Sequence, residues 1–211
     1  MSIVQQELYG GAITLNLPPK FENISHVREV PDHQEVFVNL DEDQSVIVEI
    51  LELATESTDE SCAAFHFQQL ADDNDAADTS VIQSVSILNN VELPTWPAEA
   101  KIYLLLGQQR VAKFNERQRQ QEAAQQTQHP TGSDARNLVQ IMMVVVRLPR
   151  QETDIVISYN VPLHISETSS SKQVAHEGSI EEAEVWFRNL LGSFQVRNWG
   201  LFSTDMNEEV Q

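Results

Sequence analysis

The sequence predicts an α+β fold: a mainly antiparallel β-sheet of six or more strands flanked by helices, closing into an α/β/α sandwich if helices cover both faces. Two observations carry most of this. First, β-branched apolar runs recur along the chain, and the runs at 138–148 and 154–162 are joined by the short connector 149–153, as antiparallel neighbours permit. Second, Trp186, Leu190 and Phe194 repeat at i, i+4 and i+8, backed by Ile180, Ala183, Phe187 and Leu191. That is the core stripe of a helix lying on a sheet.

The elements follow in order. Leu8 to Leu17 reads as a first strand, with Gly10 and Gly11 marking a bulge or a close backbone approach, and Pro18-Pro19 ends it. A short helical turn is expected at 23–27. Then comes Arg28-Glu29-Val30-Pro31-Asp32-His33-Gln34-Glu35-Val36-Phe37-Val38. Pro31 fixes its own φ and pushes Val30 toward extended geometry, so this is a stiff corner feeding a strand at 34–40. After the acidic turn Asp41-Glu42-Asp43, the run Val46-Ile47-Val48 makes 45–53 a strand. Ser57 and Glu60 have capping-box spacing and open a helix, which Asp72-Asp73-Asn74-Asp75 stops.

Residues 81–88 alternate as a strand, and 101–114 reads as a hairpin with Gly107 at its turn. Residues 115–135, rich in Gln, Ala and Arg and then in Pro, Gly and Ser, form a low-complexity, mobile insertion between two strands. A loop at 165–178 precedes a second capping box, Ser179 with Glu182, which opens the C-terminal helix as far as Phe194. Beyond Phe202 the tail is acidic and frayed. There is no internal repeat, and no linker separates two cores. Residues 1–211 are therefore expected to form a single domain.

With 211 residues, 41% of them hydrophobic, the chain can bury a sizeable core. No apolar run is long enough for a membrane helix, and the N-terminus lacks the basic and apolar blocks of a secretory signal. A soluble intracellular protein is expected, and the sequon Asn23-Ile24-Ser25 reads as chance. The net charge of −19 is unevenly spread. Residues 1–100 hold 19 acids against Lys20 and Arg28 alone, whereas residues 101–211 hold 13 acids against 11 bases. Such a surface repels nucleic acid, whose phosphates need clustered Lys and Arg. It favours a basic protein partner steered in electrostatically, although acidic surfaces also simply keep proteins soluble.

No catalytic constellation emerges. The six histidines show no i, i+4 pair at metal-ligand spacing, and a lone Cys62 cannot form an internal disulfide. Cys62 falls in the expected first helix among Ala and Phe, the setting of a buried, inert thiol. The Asp72–Asp75 cluster lacks the Gly and distal Glu of a calcium loop. Ser169-Ser170-Ser171-Lys172 fits an S-x-x-K pattern, but in a polar stretch without the companion motifs. No cofactor or metal is expected. The most usable chemistry is the pair Asp32 and Glu35, three residues apart on the stiff corner, a handle for something basic.

The residues that carry this corner also carry a resemblance. Glu7-Leu8-Tyr9-Gly10-Gly11-Ala12-Ile13, the stretch from Arg28 to Phe37, Asp43 to Glu52, Arg147 to Ser158 and the closing Gly200-Leu201-Phe202 resemble, in this order, the Ran guanine nucleotide release factor family, also called the Mog family. The resemblance spans roughly residues 6–202. It implies a fold like the photosystem PsbP protein, with an antiparallel sheet between helices. It further implies binding to the small GTPase Ran in its GTP-bound or nucleotide-free form, alone or jointly with its exchange factor, and release of the guanine nucleotide. A role in nuclear protein import, with residence in nucleus and cytoplasm, and a non-catalytic regulator belong to the same implication.

In that family the acidic pair of a V-P-D-x-x-E motif lies on the Ran-binding surface, which here places Asp32 and Glu35 in the site with Arg28, Glu29 and Gln34 around them. The insertion at 115–135 and the tail after Phe202 depart from the pattern, but neither overlaps the motif. The alternative within this reading is that the carboxylates shape the turn, Asp32 accepting backbone N–H bonds. Rival functions are an acidic adaptor or chaperone-like module for another basic protein, and a small-ligand or hydrolase role, which would need a deep polar pocket.

Overall fold

A computed structural model of the chain describes residues 3–26, 30–89, 93, 95–112, 136–169, 172 and 175–202. The β-branched runs become strands. These are β1 (Val4–Leu8), β2 (Ile13–Leu17), β3 (Glu22–Asn23), β4 (Gln34–Asn39), β5 (Gln44–Glu52), β6 (Val81–Leu88), β7 (Lys101–Val111), β8 (Asn137–Leu148), β9 (Thr153–His164) and β10 (Gln195–Val196). Among the described residues the α-helices are α1 (Cys62–Asp73) and α2 (Ile180–Ser193). Seven strands pair in the order β3-β4-β5-β9-β8-β7-β6, all antiparallel, and β1-β2-β10 form a smaller sheet. The sheet with helices on both faces is the sandwich the sequence predicts.

Period-two alternation sorts the side chains of the large sheet between two cores. On one face Val46, Val48, Ile102, Leu104, Met142, Val144, Val146, Ile155 and Ile157 pack with Ala183, Phe187, Leu190 and Leu191 of α2 and with Leu15 and Leu17 of β2. On the other, Tyr103, Leu105, Ile141, Met143, Val145 and Val156 receive Cys62, Ala63 and Phe67 of α1. Because both faces of β8 are covered, its run from Ile141 to Val146 is uninterruptedly apolar and fully buried. Ser179 caps α2 as its spacing predicts, its Oγ accepting the Glu182 N–H at 3.5 Å, and Glu181 and Glu182 complement the helix dipole in the first turn.

Three local readings are corrected. Leu8 to Leu17 is not one bulged strand but a hairpin: Tyr9, Gly10 and Gly11 all have positive φ (49°, 65° and 88°) and reverse the chain between β1 and β2. Gly107 is not a turn but the interior of the long strand β7, paired on both sides. A Cβ there would stand 2.6 Å from the Phe67 ring and 2.9 Å from the Val81 carbonyl oxygen. Glycine is what lets α1 settle on the sheet at this point. Gly107→Ala is expected to cost about 1–3 kcal/mol through overpacking, read as a lowered urea midpoint with unchanged slope.

The third correction concerns Ser57, which does not cap α1. The helix begins at Cys62, and Ser57 is drawn into a buried ion cluster instead. Arg147 and Asp154 face each other across β8 and β9, with Arg147 Nε and Nη2 donating to the two carboxylate oxygens at 3.0 Å each. The same guanidinium donates to the Ala54 carbonyl at 2.9 Å and to the Ser57 hydroxyl and carbonyl at 3.0 and 3.2 Å. Asp154 also accepts from the Ala54 N–H at 3.1 Å and pairs with His66 Nε2 at 3.0 Å. One cross-strand pair thus pins the 54–57 segment and α1 onto the sheet. The expected insertion at 115–135 lies outside the described residues, between β7 and β8 in the chain, and so does the tail after Phe202.

Candidate partner-binding site

The Pro31 corner is a turn closed by the Gln34 N–H donating to the Pro31 carbonyl at 2.9 Å. Asp32 and His33 occupy its two central positions and are exposed. Two other segments, β5 and the β1–β2 turn, hold the turn from below. The Ile50 N–H of β5 donates to the His33 carbonyl at 2.9 Å, extending the ladder past the end of β4. The Tyr9 hydroxyl reaches the carbonyls of His33 at 3.0 Å and Val48 at 2.8 Å. Gln34 donates its side-chain amide to Glu49 at 2.6 Å, its cross-strand partner.

Glu35 completes the brace. One carboxylate oxygen accepts the Tyr9 N–H at 2.9 Å and the other accepts the Asn23 side-chain amide at 3.0 Å. Its half-buried side chain therefore ties the β1–β2 turn and the edge strand β3 to the start of β4. Tyr9 holds its left-handed backbone because its N–H and its hydroxyl are both satisfied this way. Burial, reinforced by the negative charges of Glu35 and Glu49, keeps the Tyr9 phenol protonated well above the usual tyrosine range. Burial likewise raises the Glu49 carboxyl, only partly offset by the hydrogen bond from Gln34.

The two carboxylates of the motif are thus not an equivalent exposed pair. Asp32 stands at the apex, exposed and without a hydrogen bond among the described residues, whereas both oxygens of Glu35 are engaged. The turn-shaping role weighed for Asp32 belongs to Glu35. Reversing both charges cannot leave stability nearly unchanged, as an exposed pair would have allowed. Glu35→Ala is expected to cost about 1–3 kcal/mol, because it leaves the Tyr9 N–H and the Asn23 amide without their acceptor. Thermal unfolding beside Asp32→Ala, expected within about 0.5 kcal/mol of the parent, checks the contrast.

Arg28 and Glu29 lie outside the described residues. Tyr9, Asn23 and Glu49 are participants that sequence reasoning missed. Glu49 was within reach of it: the tight 40–43 turn pairs Asn39 with Gln44, and that register brings Gln34 opposite Glu49. Cys62 is buried beside the ion cluster, and burial pushes its thiol up to about 11, where it is a poor nucleophile. Among the described residues no His, Cys, Asp or Glu group is placed to hold a metal ion, and no helix is long and apolar enough to cross a membrane.

A Danio rerio protein named Ran guanine nucleotide release factor is 31% identical over 205 residues, covering 94% of this chain and all of that one. The nuclear import protein mog1 of Schizosaccharomyces pombe is 35% identical over 158 residues, 74% of this chain and 76% of its own. The crystal structure of the Saccharomyces cerevisiae Ran-binding protein Mog1p superposes with a TM-score of 0.65 at 26% identity, covering 96% of this chain and all of that one. The family model described as Ran-interacting Mog1 protein matches residues 6–162, a span that contains the braced corner from Tyr9 through Glu49. The chain belongs to the Ran-interacting Mog1 protein family.

Proposed function

We propose that this chain acts as one Ran-binding unit that promotes release of the GTPase's guanine nucleotide and so supports nuclear protein import, working in nucleus and cytoplasm. The observation that carries the site assignment is the exposed carboxylate of Asp32, unengaged among the described residues, on a turn clamped by β5 and by Tyr9. Such a group is pre-organised: it can accept a charge-assisted hydrogen bond from a Lys or Arg of the GTPase without paying to order a loop. Glu35 and Gln34 act in this reading as the supports that aim it, and Arg28 and Glu29 as its flanks.

Nucleotide release needs no catalytic group on this side. If the protein binds the nucleotide-free GTPase more tightly than the loaded one, it must weaken nucleotide by the same factor. The acidic first half of the chain adds steering toward a basic surface. Release of fluorescent GDP and GTP from Ran, with and without this protein and with and without the exchange factor, tests the reading. Accelerated release that saturates with protein concentration is the expected result. Unchanged release despite measurable Ran binding would favour the acidic adaptor role instead.

A further inference from the structure

At the far end of β4 from Asp32, six strand residues or about 20 Å away, lies a second surface. It is a groove of 880 Å³ between α2, the 40–43 turn and the start of the 176–179 segment. Its floor is aromatic. Trp186 stacks on Phe21 with ring centroids 5.1 Å apart and planes within 10°, and packs against Tyr159 at 4.5 Å. The Tyr159 hydroxyl is satisfied by Gln44 at 2.7 Å, so the floor presents ring faces rather than an unmet polar group. Val185 beside it is 65% exposed, an unusual placement for valine on a helix that otherwise buries its apolar residues.

The rim is acidic. Glu181 and Glu182 project from the first turn of α2, Glu177 lies just before it and Glu42 sits on the opposite bank. The one lysine of the lining, Lys20, is neutralised by Glu42 at 2.6 Å. Glu177 is paired with His164 at 3.3 Å, and Glu181 accepts from Ser179 at 3.0 Å. The Glu182 carboxylate has no hydrogen-bond partner among the described residues. A half-buried indole beside the Glu182 carboxylate, on a rim that stays net negative, suits a cation over its face and an apolar side chain against its edge.

We infer that this groove docks an extended segment of a partner protein in which an aromatic or large aliphatic side chain is flanked by arginines or lysines. Charge complementarity selects that occupant. A second copy of this chain would bring another −19 charges to an acidic rim, and nucleic acid or an anionic membrane would be repelled outright. The groove shares no residue with the Asp32 corner, so the two surfaces can be occupied independently.

The probe is a capped Arg-Arg-Phe-Arg-Arg peptide titrated into the full chain and followed by amide and indole NMR shifts. Saturable shifts are expected at Val185, Glu182 and the Trp186 indole, with none at Asp32. Replacing the peptide's Phe by Ser, or the protein's Glu181 and Glu182 by Lys, is expected to weaken binding about tenfold each, from loss of apolar burial and of charge attraction. Val185→Ser, with far-UV dichroism to verify α2, provides a variant that leaves the rim charges in place and is expected to weaken binding as well. Asp32→Lys, which lies outside the groove, is expected to leave the peptide's affinity for it unchanged. Equal affinity for the Ser peptide, insensitivity to the groove variants, or shifts that vanish with Asp32→Lys would overturn the assignment.

Discussion

Asp32→Lys is expected to abolish Ran binding in a titration calorimeter while leaving the unfolding temperature where it was. If Asp32 is desolvated against a basic residue of the GTPase, removing its charge costs on the order of 2–5 kcal/mol, and a lysine adds repulsion. A loss of roughly 30-fold to several thousand-fold follows, since 1.4 kcal/mol is about tenfold. Stability stays put because the exposed side chain accepts nothing from the described residues. Glu35→Lys should look different. It breaks the brace to Tyr9 and Asn23 as well, so binding and thermal stability should fall together. Normal Ran binding by Asp32→Lys would move the docking surface elsewhere on the molecule.

Arg147→Ala is expected to be the most destabilising single change. It strips a guanidinium that serves Asp154, Ala54 and Ser57 at once, and it leaves the fully buried Asp154 carboxylate with only His66 and the Ala54 N–H as partners. Breaking a buried pair by deleting one partner costs about 3–5 kcal/mol. For a chain of this size that lowers the melting temperature by roughly 6–20 °C, which a calorimetric scan would show.

The same cluster sets a pH dependence. Burial pushes the Asp154 carboxyl up, but the hydrogen bonds from His66 and Arg147 outweigh it and hold the group below the usual aspartate range. The folded value lies below the unfolded one, so in acid the unfolded chain binds more protons. The stability Asp154 contributes is whole above the unfolded aspartate value of about 4 and is lost as pH falls through the lower folded value. Urea unfolding across this range should therefore show a shallower acid limb for Asp154→Asn than for the parent, and less stability at neutral pH.

The strand runs and the α2 stripe were legible in the sequence because their causes are local. Alternation at period two, a helical repeat and a serine three residues before a glutamate all act within a few residues, and β5, β8, β9 and α2 stand where those signals place them. So does the overall charge asymmetry that points to a basic partner. Gly107, Ser57 and Glu35 were misread for one shared reason. Each has a local pattern that fits a turn, a cap or an exposed acid, and each is committed instead to something far away in the chain: the Phe67 ring, the Arg147 guanidinium, the Tyr9 N–H 26 residues earlier.

By itself the sequence determined the sheet-and-helix class, the family and the corner at Pro31. Only the tertiary structure decided which carboxylate of that corner is free. Spacing can put Asp32 and Glu35 three residues apart, but donors from β1–β2 and β3 claim Glu35, and nothing in the described fold reaches Asp32.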